Sequence, residues 1–397
     1  MDPYLLDWAN LLLRWAHVIV AIAWIGSSFY FVFLDSNLTP PTDPALRAKG
    51  VDGELWAVHG GGFYHPQKYL VAPRHLPEHL HWFYWESYST WLTGFALFTV
   101  LYLFQAGSYL IDPRVHEWSV PAAIAASLAF LVVFWWVYDA ICRLWGDRPG
   151  GERVVGVLVC AVVVAGTWLA GELFAGRAAF VLVGAMMATA MSANVFFWII
   201  PGQRKVIAQM KAGEPVDAIH GRRGKQRSVH NTYFTLPVLI AMLSNHYGFL
   251  YGANRAWLAL VGLMAAGALI RHFFVARHQA RLQGRGLPWV HAVAGCVLIA
   301  AVIVWLMPAR APAAAAAPAS FAQVQAIVEQ RCVVCHGAQV VNKGVQLHTP
   351  ALIVQQAQQI VQQAVLQKTM PLNNATQMSD EERALLGRWA AAGAPGP

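Results

Sequence analysis

Over its first 307 residues the chain alternates between apolar runs and short polar connections. The runs are about 20 residues long, the length a helix needs to cross a bilayer. Eight of them stand out, at residues 9–34, 88–105, 120–140, 154–173, 178–200, 231–250, 256–275 and 288–307. An even number of crossings leaves both flanks on one side. The pattern breaks after Met307. Residues 308–319 are almost all Pro and Ala and read as a semi-extended spacer. From residue 320 to 397 the chain is amphipathic and rich in Gln, with helices expected at 322–330 and 379–392. In the second, Ser379 is the N-cap and Glu382, three residues on, completes a capping box. The expected fold is all-α: a polytopic membrane bundle of eight transmembrane helices (1–307), a linker (308–319) and a small C-terminal domain (320–397).

Composition supports this class. Of 397 residues, 57% are hydrophobic and 12% charged, about half the charged share of a soluble globule. The formal net charge of +8 is distributed unevenly. One set of alternate connections carries 18 Lys and Arg, seven of them between Arg204 and Arg227, while the other holds only Arg114, Arg177 and Arg255. The positive-inside rule makes the first set cytoplasmic and places both chain ends outside. No basic block is interleaved with aromatics as a nucleic-acid groove requires, so no nucleic-acid partner is expected. The first apolar run follows Asp2 and Asp7 without a basic segment or a small-residue cleavage site, and reads as a retained helix.

The five cysteines are not a disulfide framework. Cys142, Cys160 and Cys296 are scattered in apolar runs, whereas Cys332 and Cys335 form a Cys-x-x-Cys followed at once by His336. That order is the attachment signature of a c-type haem: two thioethers to the porphyrin, and a histidine held under the iron. A zinc half-site or a redox dithiol would use the same cysteine pair, but no second Cys-x-x-Cys accompanies it. Met370, in Lys-Thr-Met-Pro, is the preferred second axial ligand, with Met378 and His348 as competitors. Met/His ligation raises the haem potential and suits delivery to a terminal oxidase. The segment thus reads as a class I-like cytochrome c domain. Haem is attached on the outer face of the membrane, in agreement with the loop charges.

Ionisable groups inside a bilayer are functional suspects. Arg14, His17, Asp139, Asn194, His230, His246, Arg271, His272 and His291 lie in or beside the apolar runs. His17 and His246 lie toward the outside and would suit bis-imidazole ligation of a haem b. His272 with His291, or with His230, would suit an inner one. Hydrogen-bonded or interfacial histidines explain the same positions. Arg14, three residues before His17 on one helix face, is placed to meet an anionic group or to snorkel to the interface. The first connection, 35–87, is long and dense in His, Gly and aromatics, and Glu86 at its end is a candidate proton acceptor. An interfacial aromatic belt accounts equally well for Trp82, Trp85 and Tyr88.

Three stretches carry a family resemblance: Arg14–Tyr30, Gly60-Gly61-Gly62-Phe63-Tyr64, and the aromatic run 80–91 with Trp85-Glu86-Ser87-Tyr88. With the Cys332–His336 motif after the Pro/Ala linker, the whole chain resembles the bacterial membrane-bound urate oxidases (urate hydroxylases) with a fused C-terminal cytochrome c. The first helix is also similar to the His-x6-Trp-x-Gly pattern of small membrane haem proteins, where the His binds haem b. The resemblance implies oxidation of urate to 5-hydroxyisourate in purine breakdown, with electrons passed through haem to cytochrome c or a terminal oxidase. Two other readings remain open: a quinol–cytochrome c oxidoreductase or oxidase accessory subunit, and a haem-handling, metal-handling or solute-transport membrane module with a redox sensor. Small residues at Gly262, Ala266 and Gly267 are suited to helix packing within a protomer or in a homo-oligomer.

Overall fold

The computed structural model describes residues 3–69, 73, 75–307 and 319–397. The expected linker therefore lies outside the described residues, apart from Ala319. Helices occupy all eight expected places: α1 (Pro3–Asn37), α2 (Trp85–Phe98, continued by a wide turn to Leu103), α3 (Val120–Trp145), α4 (Gly151–Leu173), α5 (Gly176–Asn194, continued by a wide turn into α6, Ile200–Lys211), α7 (Ala218–Leu243), α8 (Ala256–Leu282) and α9 (Trp289–Trp305). Among the described residues five are long and apolar enough to cross a membrane: α1, α3, α4, the joined α5–α6 and α8. These five coincide with five of the eight expected spans. Helix α2 is short, α9 is a shorter apolar helix, and α7 begins in the basic stretch His220–Arg227.

Helix α5 is the most enclosed of the five and α1 the most exposed. Ala178, Leu182, Met186, Met187 and Ala190 of α5 are fully buried at the centre of the bundle core. Around it α7 packs on α5, α9 on α8 and α2 on α1. The small residues of α8 serve these seams. A Cβ on Gly262 would stand 2.9 Å from Val302 of α9, and one on Gly267 3.0 Å from Leu236 of α7. Helix α1 turns Trp8, Leu12, Trp15, Ile19 and Ile22 outward, a surface that suits lipid.

The all-α expectation needs one correction. The first connection folds into two antiparallel two-stranded ladders, β1 (Val51–Glu54) with β4 (Gln67–Tyr69) and β2 (Ala57–His59) with β3 (Gly62–Tyr64). The inner hairpin turns on Gly60 and Gly61, both at positive φ, the backbone that a two-residue I′ loop demands and glycine supplies without strain. Trp56 stacks on His65 at 4.0 Å, and His65 Nε2 meets Glu54 at 2.6 Å.

In the C-terminal region, α10 (Phe321–Arg331) starts from a Ser320/Gln323 capping box. It is followed by the single turn α11 (Val333–His336) and, at the end, by α12 (Asp380–Ala391). The expected Ser379/Glu382 capping box opens α12. A separate small core gathers Phe321, Val324, Val328, Ile353, Leu386 and Trp389.

Candidate functional site

The residues singled out in the sequence fall in four places. At one end of the bundle, α1 presents Arg14 and His17 toward α2. His17 Nδ1 meets Thr93 Oγ1 at 3.1 Å. The imidazole lies against Gly94, where a Cβ would stand 2.8 Å from its Cε1. Arg14 donates to Asn10 Oδ1 at 3.2 Å and lies within electrostatic reach of His17, Tyr102 and His246. His246 is exposed in the turn after α7. Beside it Asn245 Oδ1 accepts from Tyr102 (3.3 Å) and from Arg177. This end therefore gathers His17, His246 and Arg14.

Asp139, Asn194 and His230 enter a network that the sequence did not reveal as one. Asp139 accepts from Arg227 Nη2 (2.7 Å), Trp198 Nε1 (2.7 Å) and Arg143 Nε (2.6 Å). Asn194 donates to the Tyr138 hydroxyl and to Asn231 Oδ1, each at 2.9 Å. Tyr138 OH and His230 Nδ1 are 2.8 Å apart. Arg227 is 2% exposed and its guanidinium also lies over Tyr138 and Trp198. Such a closed network holds α3, α5 and α7 in register. Beside it a cavity of ≈ 250 Å³ is lined by Arg143, Arg223, Arg227, Asp147 and Trp198.

The third place joins α1, α7, α8 and α9. Tyr233 OH meets His272 Nδ1 at 2.7 Å, and the His272 and His291 rings touch with centroids 4.4 Å apart. The structure thus sets His272 against His291 and not against His230. Arg271 is 7% exposed with its guanidinium 3.9 Å over the Phe29 ring. Its Nε and Nη2, and His291 Nδ1, are buried without a hydrogen-bond partner among the described residues. Glu86 stands apart in the first turn of α2, in the stretch where the Tyr84, Trp85 and Tyr88 rings pack on one another, and its Oε2 is buried without a partner among the described residues.

The fourth place is the C-terminal domain. The backbone N–H groups of Cys335 and His336 both donate to the Cys332 carbonyl, at 3.1 and 2.9 Å, which puts the three side chains on one turn. Both thiols are free, and burial pushes the Cys332 thiol up to about 11. His336 Nδ1 donates to the Val345 carbonyl at 3.2 Å, which fixes the ring and leaves Nε2 with its lone pair. Met370 is half-buried. Arg383 ties down its loop, donating to the Met370 carbonyl at 2.7 Å and to Asn374 Oδ1 at 3.0 Å. Met378 is buried in the small core, whereas His348 is exposed. The same loop meets the bundle: Asn373 donates to the Ser108 carbonyl at 2.6 Å, and Arg114 Nη2 donates to the Asn373 carbonyl at 3.0 Å. Among the described residues no three His, Cys, Asp or Glu side chains form a metal cage.

The family model described as urate oxidase N-terminal matches residues 3–307. No curated protein and no solved structure matches the chain.

Proposed function

This chain belongs to the urate oxidase N-terminal family, and we propose that it is a membrane-bound enzyme that oxidises urate and exports the electrons through its C-terminal domain. The reaction balances simply: urate monoanion and one water give 5-hydroxyisourate, one proton and two electrons. The observation that carries the reading is the joining, in one chain, of a region matched over residues 3–307 to a Cys332–Cys335–His336 turn. The residues of that turn fit a c-type haem. Two unpaired thiols and an imidazole with a free Nε2 stand on one helical turn, and Met370 lies on a loop tied by Arg383. A c-type haem held there by Cys332, Cys335, His336 and Met370 would supply a one-electron acceptor.

The chain's own residues then have separable tasks. Asn373 and Arg114 hold the Met370 loop against the rim of the bundle, which favours a short path out of the membrane region. His17 and His246, which share Arg14 as a neighbour, are the pair we assign to a haem b relay at that end. His272 and His291 do not fit a second haem, because ligands on opposite faces of one porphyrin are parted by the macrocycle and these rings touch. Glu86 is assigned to proton transfer. The loop charges favour the bacterial inner membrane with the C-terminal domain in the periplasm, and delivery to a respiratory cytochrome c or terminal oxidase.

The test is anaerobic. Full-length protein is purified in detergent and oxidised, urate is added, and the visible spectrum is followed. Reduction of a c-type band by urate, with a b-type band reduced alongside it, is the expected result. A haem reduced by dithionite or a quinol but not by urate would overturn the substrate assignment.

A further inference from the structure

Arg271 is a cation in the wall of an apolar helix bundle, and its surroundings do not neutralise it. It is 7% exposed, its guanidinium face rests 3.9 Å over Phe29, and its Nε and Nη2 have no acceptor among the described residues. Those two nitrogens form the side edge of the guanidinium, two parallel N–H bonds that match a pair of adjacent acceptors. The same chain shows what that edge does. Arg114 grips Asp112 with it, Arg223 grips Asp147, and Arg331 grips Glu382. In each of those cases a carboxylate is the partner.

The neighbourhood suggests what pairs with the fourth edge. Tyr233 of α7 lies within electrostatic reach of Arg271 and hydrogen-bonds His272, which touches His291. His291 Nδ1 is a second buried polar atom without a partner among the described residues. A ligand that suits both must present two in-plane acceptors to the guanidinium and a group that can share a proton with an imidazole. It must also be flat enough to lie beside Phe29 and Tyr233. A phosphate is not flat, and an aliphatic carboxylate brings no N–H. A planar, anionic, oxidised purine has all three features.

We propose that Arg271 anchors the anionic edge of urate, with Phe29 and Tyr233 as its aromatic walls and the His272–His291 pair as the groups that share its ring protons. The inference rests on the urate reading above and assigns that substrate a place. It also accounts for the touching histidines, which a porphyrin could not use.

Binding measured apart from turnover tests it. Anaerobic equilibrium dialysis of radiolabelled urate against the fully reduced full-length protein, which can take up no further electrons, gives Kd. Losing a charged, paired hydrogen bond predicts that Arg271→Gln weakens binding about 10- to 100-fold. Arg271→Lys keeps the charge over Phe29 but not the paired edge. It should fold as the unaltered protein does, by its melting temperature, and still bind urate markedly less well. Unchanged Kd in Arg271→Lys and Arg271→Gln overturns the proposal. Loss of a b-type absorption band at unchanged urate Kd also overturns it, by giving the edge to a porphyrin propionate. No urate binding by the unaltered protein sinks the urate reading and this site together. Binding lost only in the variants supports both.

Discussion

His17 is the donor in its contact with Thr93. Thr93 Oγ1 lies 2.7 Å from the Ser89 carbonyl, which can only accept, so the single hydroxyl proton is committed there. His17 Nδ1, 3.1 Å from the same oxygen, must therefore carry the hydrogen, and Nε2 the lone pair. That is the tautomer a metal-ligating imidazole needs, held by the kind of outer partner that metal-bound histidines have. Gly94 makes the arrangement accessible by letting α1 and α2 approach.

If His17 is a haem b ligand, Thr93→Val removes the acceptor that sets the tautomer and leaves the shape nearly unchanged. Loss of such a partner costs about 10- to 100-fold in metal affinity. The variant should come out of purification with a reduced b-type band and an unchanged c-type band, read from pyridine haemochrome spectra. Equal b content in variant and unaltered protein would remove His17 from the relay.

The network around Asp139 gives a stability prediction. Its two arginines differ in setting: the Arg227 side chain is 2% exposed and that of Arg143 62%. Asp139→Ala leaves a buried guanidinium without its counter-ion, a change that costs about 3–5 kcal/mol. Arg143→Ala removes an exposed pair and should cost less than about 1 kcal/mol. Thermal unfolding in detergent separates the two. Similar losses in both variants would mean that Arg227 has other compensation.

Much of this architecture could be read in the sequence, and the parts that could not share one physical cause. Apolar runs located the helices because burial in lipid or core leaves a local, periodic signal. The capping box at Ser379 is likewise local. The apolar run predicts a helix at 231–250, whereas α7 runs from Ala218 to Leu243, because its first half is basic and carries no apolar signal. Arg227 is buried there only because Asp139, 88 residues earlier, reaches it. Tyr138, Trp198, Tyr233 and Phe29 carry no local signal of their roles for the same reason. Each is an ordinary membrane aromatic until a distant helix brings it a His or an Arg. The strands of the first connection rest on short segments whose only clear cue was Gly60-Gly61.

Acid should loosen the start of α12 before it affects the bundle. A hydrogen bond and the charge of Lys368, 2.8 Å away, hold the Asp380 carboxyl below its ordinary range. Burial works to raise Glu382, but the Ser379 backbone N–H and Arg331 outweigh it and hold it low as well. Both folded pKa values are depressed. Their stabilisation is therefore present above the unfolded values of about 4 and is lost as pH falls through the folded ones. Asp380 is exposed, so its share is under about 1 kcal/mol. Hydrogen exchange on the full-length protein should show α12 losing protection as pH drops below about 4. Glu382→Gln, which keeps the capping geometry without the charge, should flatten that dependence. An unchanged slope would show that Glu382 is not the group that titrates.

If the Cys332–His336 turn carries the proposed c-type haem, two methionines compete to be the second ligand of its iron. Met370 is half-buried on a loop held through its own carbonyl by Arg383. Met378 is 3% exposed within the small core, and its backbone N–H donates to Asn374 Oδ1 at 3.0 Å. Met378 is thus already placed as a packing residue. Met370 packs against the edge of the same core but is only half-buried, so its side chain is less committed to packing. Replacing a thioether ligand lowers the potential of a His/Met haem. Met370→Leu should therefore lower the midpoint potential of the c-type haem and slow its reduction by urate, with both Cys332 and Cys335 still attached. Met378→Leu nearly conserves volume, so it should cost less than about 1.5 kcal/mol and leave the potential where it was. Spectroelectrochemical titration of the two purified variants decides the matter. A potential lowered by Met378→Leu and untouched by Met370→Leu would exchange their roles.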